Sequence, residues 1–314
     1  MSFTSTIKNE ISKIDVVNTE KIAELSALFR NIASINEDKI KIVTENASVA
    51  RRIFILVKDI YGINCKITTR KGYTFKKSYL YILEINNKAN EILNDLSILD
   101  GNKYLSVPKA YVLDDDELVR SYLRGLFMAC GSVNDPKKSR YHLEFSVDLK
   151  DYAEFIKSIL NSYNLNSKII RRENKYMVYI KEAEKIGDFL RIINAINAVL
   201  YYEDIRIYRD HKNMTNRLNN CEQANVDKII MTANEQIHDI ELIESNGGLD
   251  LLEDKVKEAA IYRLKYPEAS LTELSEIITL ETGHAITKSG LYHRFRKIKA
   301  LANKIRDKQK NKDK

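Results

Sequence analysis

Cysteine is scarce in this 314-residue chain: Cys65, Cys130 and Cys221 are its only three, scattered and without a CxxC pair. An odd, dispersed set excludes a disulfide framework and a structural zinc site. No run of 18 apolar residues occurs, which excludes a membrane-spanning helix. The opening MSFTSTIKNEIS lacks the apolar stretch of a signal peptide. The five histidines (His142, His211, His238, His284 and His293) form no HExxH, and neither a GxxxxGK[ST] loop nor a GxSxG elbow is present. The expectation is a reduced, cytoplasmic protein without a catalytic apparatus, cofactor or bound metal.

What is present is apolar enough to fold. With 44% apolar and 9% aromatic residues, the chain is not disordered over most of its length, and its size suggests two domains. The charge is unevenly spread around a net +7. Residues 222–285 hold 14 acids against five bases, whereas residues 286–314 hold eight lysines and three arginines against Asp307 and Asp313. A basic end preceded by an acidic stretch is a footprint of nucleic-acid binders. Lys308 to Lys314, taken alone, reads as a solvated tail.

Proline occurs only at Pro108, Pro136 and Pro267, so each punctuates the chain. An internal repeat organises what lies between. Leu25–Ser34 (LSALFRNIAS) aligns with Leu123–Ser132 (LRGLFMACGS) at an offset of 98, and Tyr61–Ile67 aligns with Tyr163–Ile169 at an offset of 102. Around both copies the periodicities predict the same succession. In the first half this is a helix over 20–32, strands near 35 and 39–44, a helix over 48–61, strands near 65–70 and 78–85, and a helix from 88. In the second it is a helix over 114–130, strands near 133 and 141–147, a helix over 151–163, strands near 167–172 and 176–180, and a helix from 182. Each unit is αββαββα. The opening helices carry small residues, Gly125, Ala129 and Gly131 matching Ala27, Asn31 and Ala33, and should pack against each other across a pseudo-twofold axis.

Leu123–Gly131 resembles a degenerate LAGLIDADG motif, the signature of a homing-endonuclease fold with two such halves. More narrowly, three stretches resemble the bacterial WhiA regulators: LRGLFMACGSVNDP at 123–136 followed by YHLEF at 141–145, NRLNNCEQAN at 216–225, and KSGLYHRFRKI at 288–298. The resemblance implies an α+β fold: a degenerate LAGLIDADG-like domain over 1–215 (repeats about 1–100 and 101–215), a connecting helix over 216–248, and a helix-turn-helix domain with a basic tail over 249–314. It also implies a regulator of transcription acting in cell division, chromosome segregation and sporulation. Expected partners are double-stranded promoter DNA and another regulator or RNA polymerase, and the expected location is the nucleoid.

Cleavage by the LAGLIDADG fold needs a metal-binding acid at the eighth motif position. Those positions hold Ile32 and Cys130, and the sixth positions hold Arg30 and Met128. Glu24 reads as a solvated charge and Asp135 as a turn residue. The expectation is therefore a non-enzyme, the alternatives being an active metal-dependent endonuclease or a non-specific nucleoid protein. Candidate secondary phosphate contacts are Arg51, Arg52, Arg70, Lys71, Arg171 and Arg172, with Lys76, Lys77 and Lys137, Lys138, Arg140 as further basic clusters.

From Asn225 the pattern is helical up to Gly247-Gly248, resumes over about 249–266, and stops at Pro267. Ser270-Leu-Thr-Glu273 is a capping box opening a short helix with Leu271, Leu274, Ile277 and Ile278 inward. After a turn at Gly283, Thr287 is a candidate N-cap for a last helix. On it Leu291, Phe295, Ile298, Ala302 and Ile305 fall within about 40° of one line. Ser289, Tyr292, His293 and Arg296 project oppositely, with Lys288, Lys297 and Lys299 on the flanks. This is a helix-turn-helix pattern: Arg296 could take a guanine edge, Ser289 and His293 other base atoms, and the flanking lysines phosphates.

Overall fold

In the computed structural model, residues 2–36, 39–71, 79–138 and 140–312 are described. The Lys76-Lys77 pair lies outside them. The chain forms two compact units, Met1–Asp210 and His211–Lys314.

The first unit opens with α1 (Phe3–Ile11), a helix outside the repeat pattern, capped by the Ser2 side chain. Its apolar residues Phe3, Ile7 and Ile11 are buried in the core of this unit. The first repeat follows as α2 (Asn18–Ile32), β1 (Ala33–Asn36), β2 (Lys39–Thr44), α3 (Ala47–Tyr61), β3 (Lys66–Lys71), β4 (Tyr79–Ile85) and α4 (Ala89–Asp95). A small hairpin, β5 (Leu99–Asp100) and β6 (Lys103–Tyr104), and a 3-10 turn at Ala110–Leu113 lead to the second repeat. That repeat comprises α5 (Asp116–Cys130), β7 (Gly131–Val133), β8 (Leu143–Val147), α6 (Lys150–Ser162), β9 (Lys168–Arg172), β10 (Lys175–Ile180) and α7 (Ala183–Ile192).

The two repeats build antiparallel sheets of identical order, β1-β2-β4-β3 and β7-β8-β10-β9. Alternation decides which face of each sheet is covered. Ile40 and Ile42 lie opposite Ile85 and Leu83 in the first, and Leu143 and Phe145 opposite Ile180 and Val178 in the second. All eight are buried in the core.

Helices α2 and α5 pack together as their small residues require. A β-carbon at Gly125 would lie 2.3 Å from the carbonyl oxygen of Glu24 and 3.1 Å from the Ala27 β-carbon, so only glycine permits this approach of two backbones.

Helix α8 runs unbroken from Ile196 to Ser245, starting well before the helical pattern that the sequence shows from Asn225. Residues 211–232 are exposed, so no one-sided apolar period marks that stretch. Its last turns carry Ala233, Ile240 and Ile243 into buried positions, and Gly247 takes a left-handed φ of 68° beyond its end. The following helix, α9 (Asp254–Lys265), begins later than the 249 expected, because Leu249–Leu251 form a separate 3-10 turn. Then come α10 (Leu271–Thr282) and α11 (Lys288–Lys312).

Candidate nucleic-acid interface

The second unit is built around the final helix. Helix α10 starts with the reciprocal capping box, Ser270 Oγ accepting from Glu273 N and Glu273 Oε2 from Ser270 N, and ends at Gly283 with φ 72°. In the turn, Thr279 Oγ1 accepts from Ile286 N at 3.1 Å, and Thr287 Oγ1 accepts from Gly290 N at 3.1 Å. The second bond satisfies an amide donor that the start of the last helix would otherwise leave open, and the first ties the turn to α10.

The apolar stripe of α11 is buried as its spacing demands. Leu291, Phe295, Ile298 and Ala302 join Val256, Ala259 and Ala260 of α9, Leu274 and Ile278 of α10, and Ile240 and Ile243 of α8 in one core. Beneath it Arg263, buried and unflagged by the sequence, donates to Gln236 Oε1 (3.0 Å) and to the Ala269 carbonyl (2.6 Å), with its guanidinium 5.5 Å from the Phe295 ring centroid. Burial lowers its pKa from the ordinary arginine value. The residue before Pro267 and the loop into α10 are thus tied to the core.

The opposite side of α11 is solvent-facing: Lys288, Ser289, Tyr292, His293, Arg296, Lys297 and Lys299 are all exposed. Their environments differ. Lys297 pairs with Glu253 at 2.9 Å and Lys299 with Glu235 at 3.1 Å, while Arg294, which the sequence reading passed over, pairs with Glu258 at 2.8 Å. Arg306 reaches Asp239. Acids of α8 and α9, and Glu253 at the N-cap of α9, therefore answer the flanks of the final helix. The two lysines expected to be free for phosphate are already partnered, because the acidic stretch 222–285 folds beside them. Among the described residues Lys288 and Arg296 have no ion-pair partner. Arg296 lines a groove of about 370 Å³ whose other wall includes Glu235 and Asp239 of α8.

In the first unit the six secondary candidates separate. Arg70 lies opposite Leu80 and Arg172 opposite Lys175. Strand parity puts both on the sheet faces turned away from the core, at positions equivalent by the 102-residue offset. Lys71 and Arg171 fall on the alternate parity, exposed at the edge strands, and Arg51 is exposed on α3.

Arg52 is a correction. It is only 7% exposed, its Nε donating to Glu24 Oε1 at 2.7 Å and its Nη2 to Glu24 Oε2 at 3.0 Å. Glu24 is fully buried, not solvated. Arg124 stands 3.8 Å from the same carboxylate and also donates to Glu20, 3.3 Å away. Burial lowers the Arg124 pKa, with the two glutamates opposing that shift. A helix wheel places Glu24 on the packed side of α2; the charge itself hid this from the sequence reading. Asp135 is the expected turn residue, accepting from the amide of Lys137 at 2.9 Å.

At the motif ends, Ile32 is half-buried and closes α2, and Cys130 closes α5 with its thiol pushed up to about 12 by burial. Arg30 donates to the carbonyls of Ser97 and Leu105, and Met128 is buried. Among the described residues no three His, Cys, Asp or Glu side chains are grouped to hold a metal ion, and no helix is long and apolar enough to cross a membrane.

Fold and site define a class: a two-repeat LAGLIDADG-like domain joined by a long helix to a helix-turn-helix unit. Family models match in this order: the WhiA N-terminal LAGLIDADG-like domain over residues 18–99, the WhiA LAGLIDADG-like domain over 119–212 and the WhiA C-terminal HTH domain over 215–302. The chain is 45% identical to "Probable cell division protein WhiA" of Staphylococcus haemolyticus (strain JCSC1435) over 99% of each chain. It is 44% identical to the protein of the same name from Ligilactobacillus salivarius (strain UCC118) over 98% of each. The crystal structure of full-length DUF199/WhiA from Thermatoga maritima superposes with a TM-score of 0.57 at 25% identity, covering 97% of this chain and 99% of that one. The chain belongs to the WhiA family.

Proposed function

We propose that this protein is a sequence-specific regulator of transcription that reads double-stranded promoter DNA with the outward face of α11. The observation that carries this reading is the unpaired Arg296 on an exposed helical face, flanked by Ser289, Tyr292 and His293 and mounted on a buried stripe. A planar guanidinium free of internal partners can donate two bonds to a guanine edge, while hydroxyl and imidazole groups serve other base atoms. Lys288 is free for phosphate, and Lys297 and Lys299 become available when DNA displaces their glutamates. Arg51, Arg70, Lys71, Arg171 and Arg172 supply secondary phosphate contacts from the first unit.

The relatives' name supports a role in cell division, and the family resemblance extends it to chromosome segregation and sporulation, exercised at the nucleoid with another regulator or RNA polymerase. The LAGLIDADG-like domain serves as a scaffold and not as a nuclease, since Ile32 and Cys130 stand where metal-binding acids are needed. A genome-wide crosslinking map of the protein and of Arg296→Ala tests the reading. Discrete promoter peaks that vanish in the variant support it; diffuse coverage unchanged by the substitution refutes it.

A further inference from the structure

The stretch of α8 that opens the second unit is chemically unusual. Every residue from His211 to Thr232 is exposed. A solvated helix is best built from alanine, lysine, glutamate and glutamine, and asparagine is a weaker helix former than any of these. Yet asparagine occupies positions 213, 216, 219, 220 and 225. Four of these side chains, Asn213, Asn216, Asn219 and Asn220, make no hydrogen bond among the described residues.

Their placement is not random around the helix. At about 100° per residue, Lys212, Asn213, Asn219 and Asn220 all fall within about 60° of Asn216; Gln223, on the same face, is tied to Asp227 at 2.9 Å. One face is therefore a stripe of amides with a lysine at its head. Charge marks the same stretch: residues 211–221 contain Lys212 and Arg217 and no acid, whereas residues 222–245 contain six acids against Lys228 alone. The opposite face carries Met214, Leu218 and Cys221, the side on which a protein would be expected to sit. The unbonded amides and the acid-free charge favour a polyanion on the first face.

We infer that residues 212–220 of α8 form a second DNA-contacting surface, which binds duplex next to the element read by α11. Asparagine is the side chain that matches the N6 and N7 edge of adenine with two bonds, and amides also donate to phosphate oxygens. A helix exposed on all sides can enter a major groove about 12 Å wide without first shedding a protein neighbour. The inference rests on the helix-turn-helix reading of α11 for where the DNA lies, but uses a different set of residues.

The test uses the full chain and duplexes of about 40 base pairs recovered by the wild-type protein from a random-sequence pool. Affinity and hydroxyl-radical footprints are compared for wild type, Arg296→Ala and the triple variant Asn216→Ala/Asn219→Ala/Asn220→Ala. Circular dichroism verifies helix content, which alanine favours. The triple variant is expected to bind about 10- to 100-fold more weakly and to lose a block of protected nucleotides distinct from the block lost in Arg296→Ala. A triple variant within twofold of wild type and with an unchanged footprint overturns the inference. An Arg296→Ala protein that keeps the full footprint, while the triple variant loses its own block, instead refutes the role of α11 and leaves the amide surface standing.

Discussion

Replacing Arg52 by alanine separates a structural role from a binding role at one residue. As a surface arginine it would contribute one phosphate contact, and its loss would leave stability unchanged. The structure places it in a bidentate pair with a carboxylate that water does not reach, at 2.7 and 3.0 Å. Truncation removes those bonds and, among the described residues, leaves Glu24 with Arg124 alone as a cation, 3.8 Å away. Breaking a buried pair from one side costs about 3–5 kcal/mol, since the remaining charge keeps its desolvation penalty. In a unit of this size each kcal/mol lowers the melting midpoint by roughly 2–4 °C, so Arg52→Ala should melt the first unit about 6–20 °C lower. The double variant Arg52→Ala/Glu24→Ala closes a mutant cycle with Arg52→Ala and Glu24→Ala and should recover part of the loss, because no lone carboxylate remains. Calorimetry of all four proteins measures this. An Arg52→Ala midpoint within about 2 °C of wild type, combined with weaker DNA binding, would refute the buried-pair account.

Other substitutions probe the remaining elements. Gly125→Ala forces a β-carbon against the Glu24 carbonyl and should cost about 1–3 kcal/mol as overpacking, read as a lower urea midpoint for the first unit. Phe295→Ala should destabilise the second unit by about 3–5 kcal/mol, while Arg296→Ala leaves its unfolding curve in place. Glu235→Gln releases Lys299 and removes a negative charge from the Arg296 groove, so affinity for random-sequence DNA should rise a few-fold and the salt dependence should steepen; an unchanged salt slope would show that the Lys299–Glu235 pair does not oppose binding. Lys265 and Tyr266 hold the Glu281 carboxyl down from 4.5 to about 2. A depressed acid stabilises above its unfolded pKa and loses that contribution as pH falls through the folded one, so this link between α9 and α10 should persist at neutral pH and fade from about 4.5 to about 2, with Glu281 titrating near 2 by NMR.

Much of this architecture is legible in the sequence because it is periodic. The 98- and 102-residue offsets, the alternation in β2, β4, β8 and β10 and the Leu291–Ile305 stripe are patterns of burial, and burial wrote the core. What escaped was carried by residues whose type misleads. Glu24, Arg52 and Arg263 look like surface charges and are buried with partners. Lys297 and Lys299 look free, yet their partners Glu253 and Glu235 lie 44 and 64 residues away, beyond any local pattern. The early start of α8 was hidden for the opposite reason: a helix exposed on every side shows no apolar face. The small-residue match at Gly125 and Ala27, by contrast, correctly pointed to two helices in close approach, since only a missing side chain allows it.

The central claim is that the outward face of α11 reads base sequence, and the ratio of specific to random-DNA affinity for Arg296→Ala tests it most directly. The measurement is a salt titration of full-length wild-type and variant protein on a selected duplex and on a scrambled one, with circular dichroism confirming that both are folded. The account predicts a loss of about 1–3 kcal/mol on the selected duplex and a much smaller loss on the scrambled one, so the ratio falls. A ratio unchanged by the substitution would contradict it.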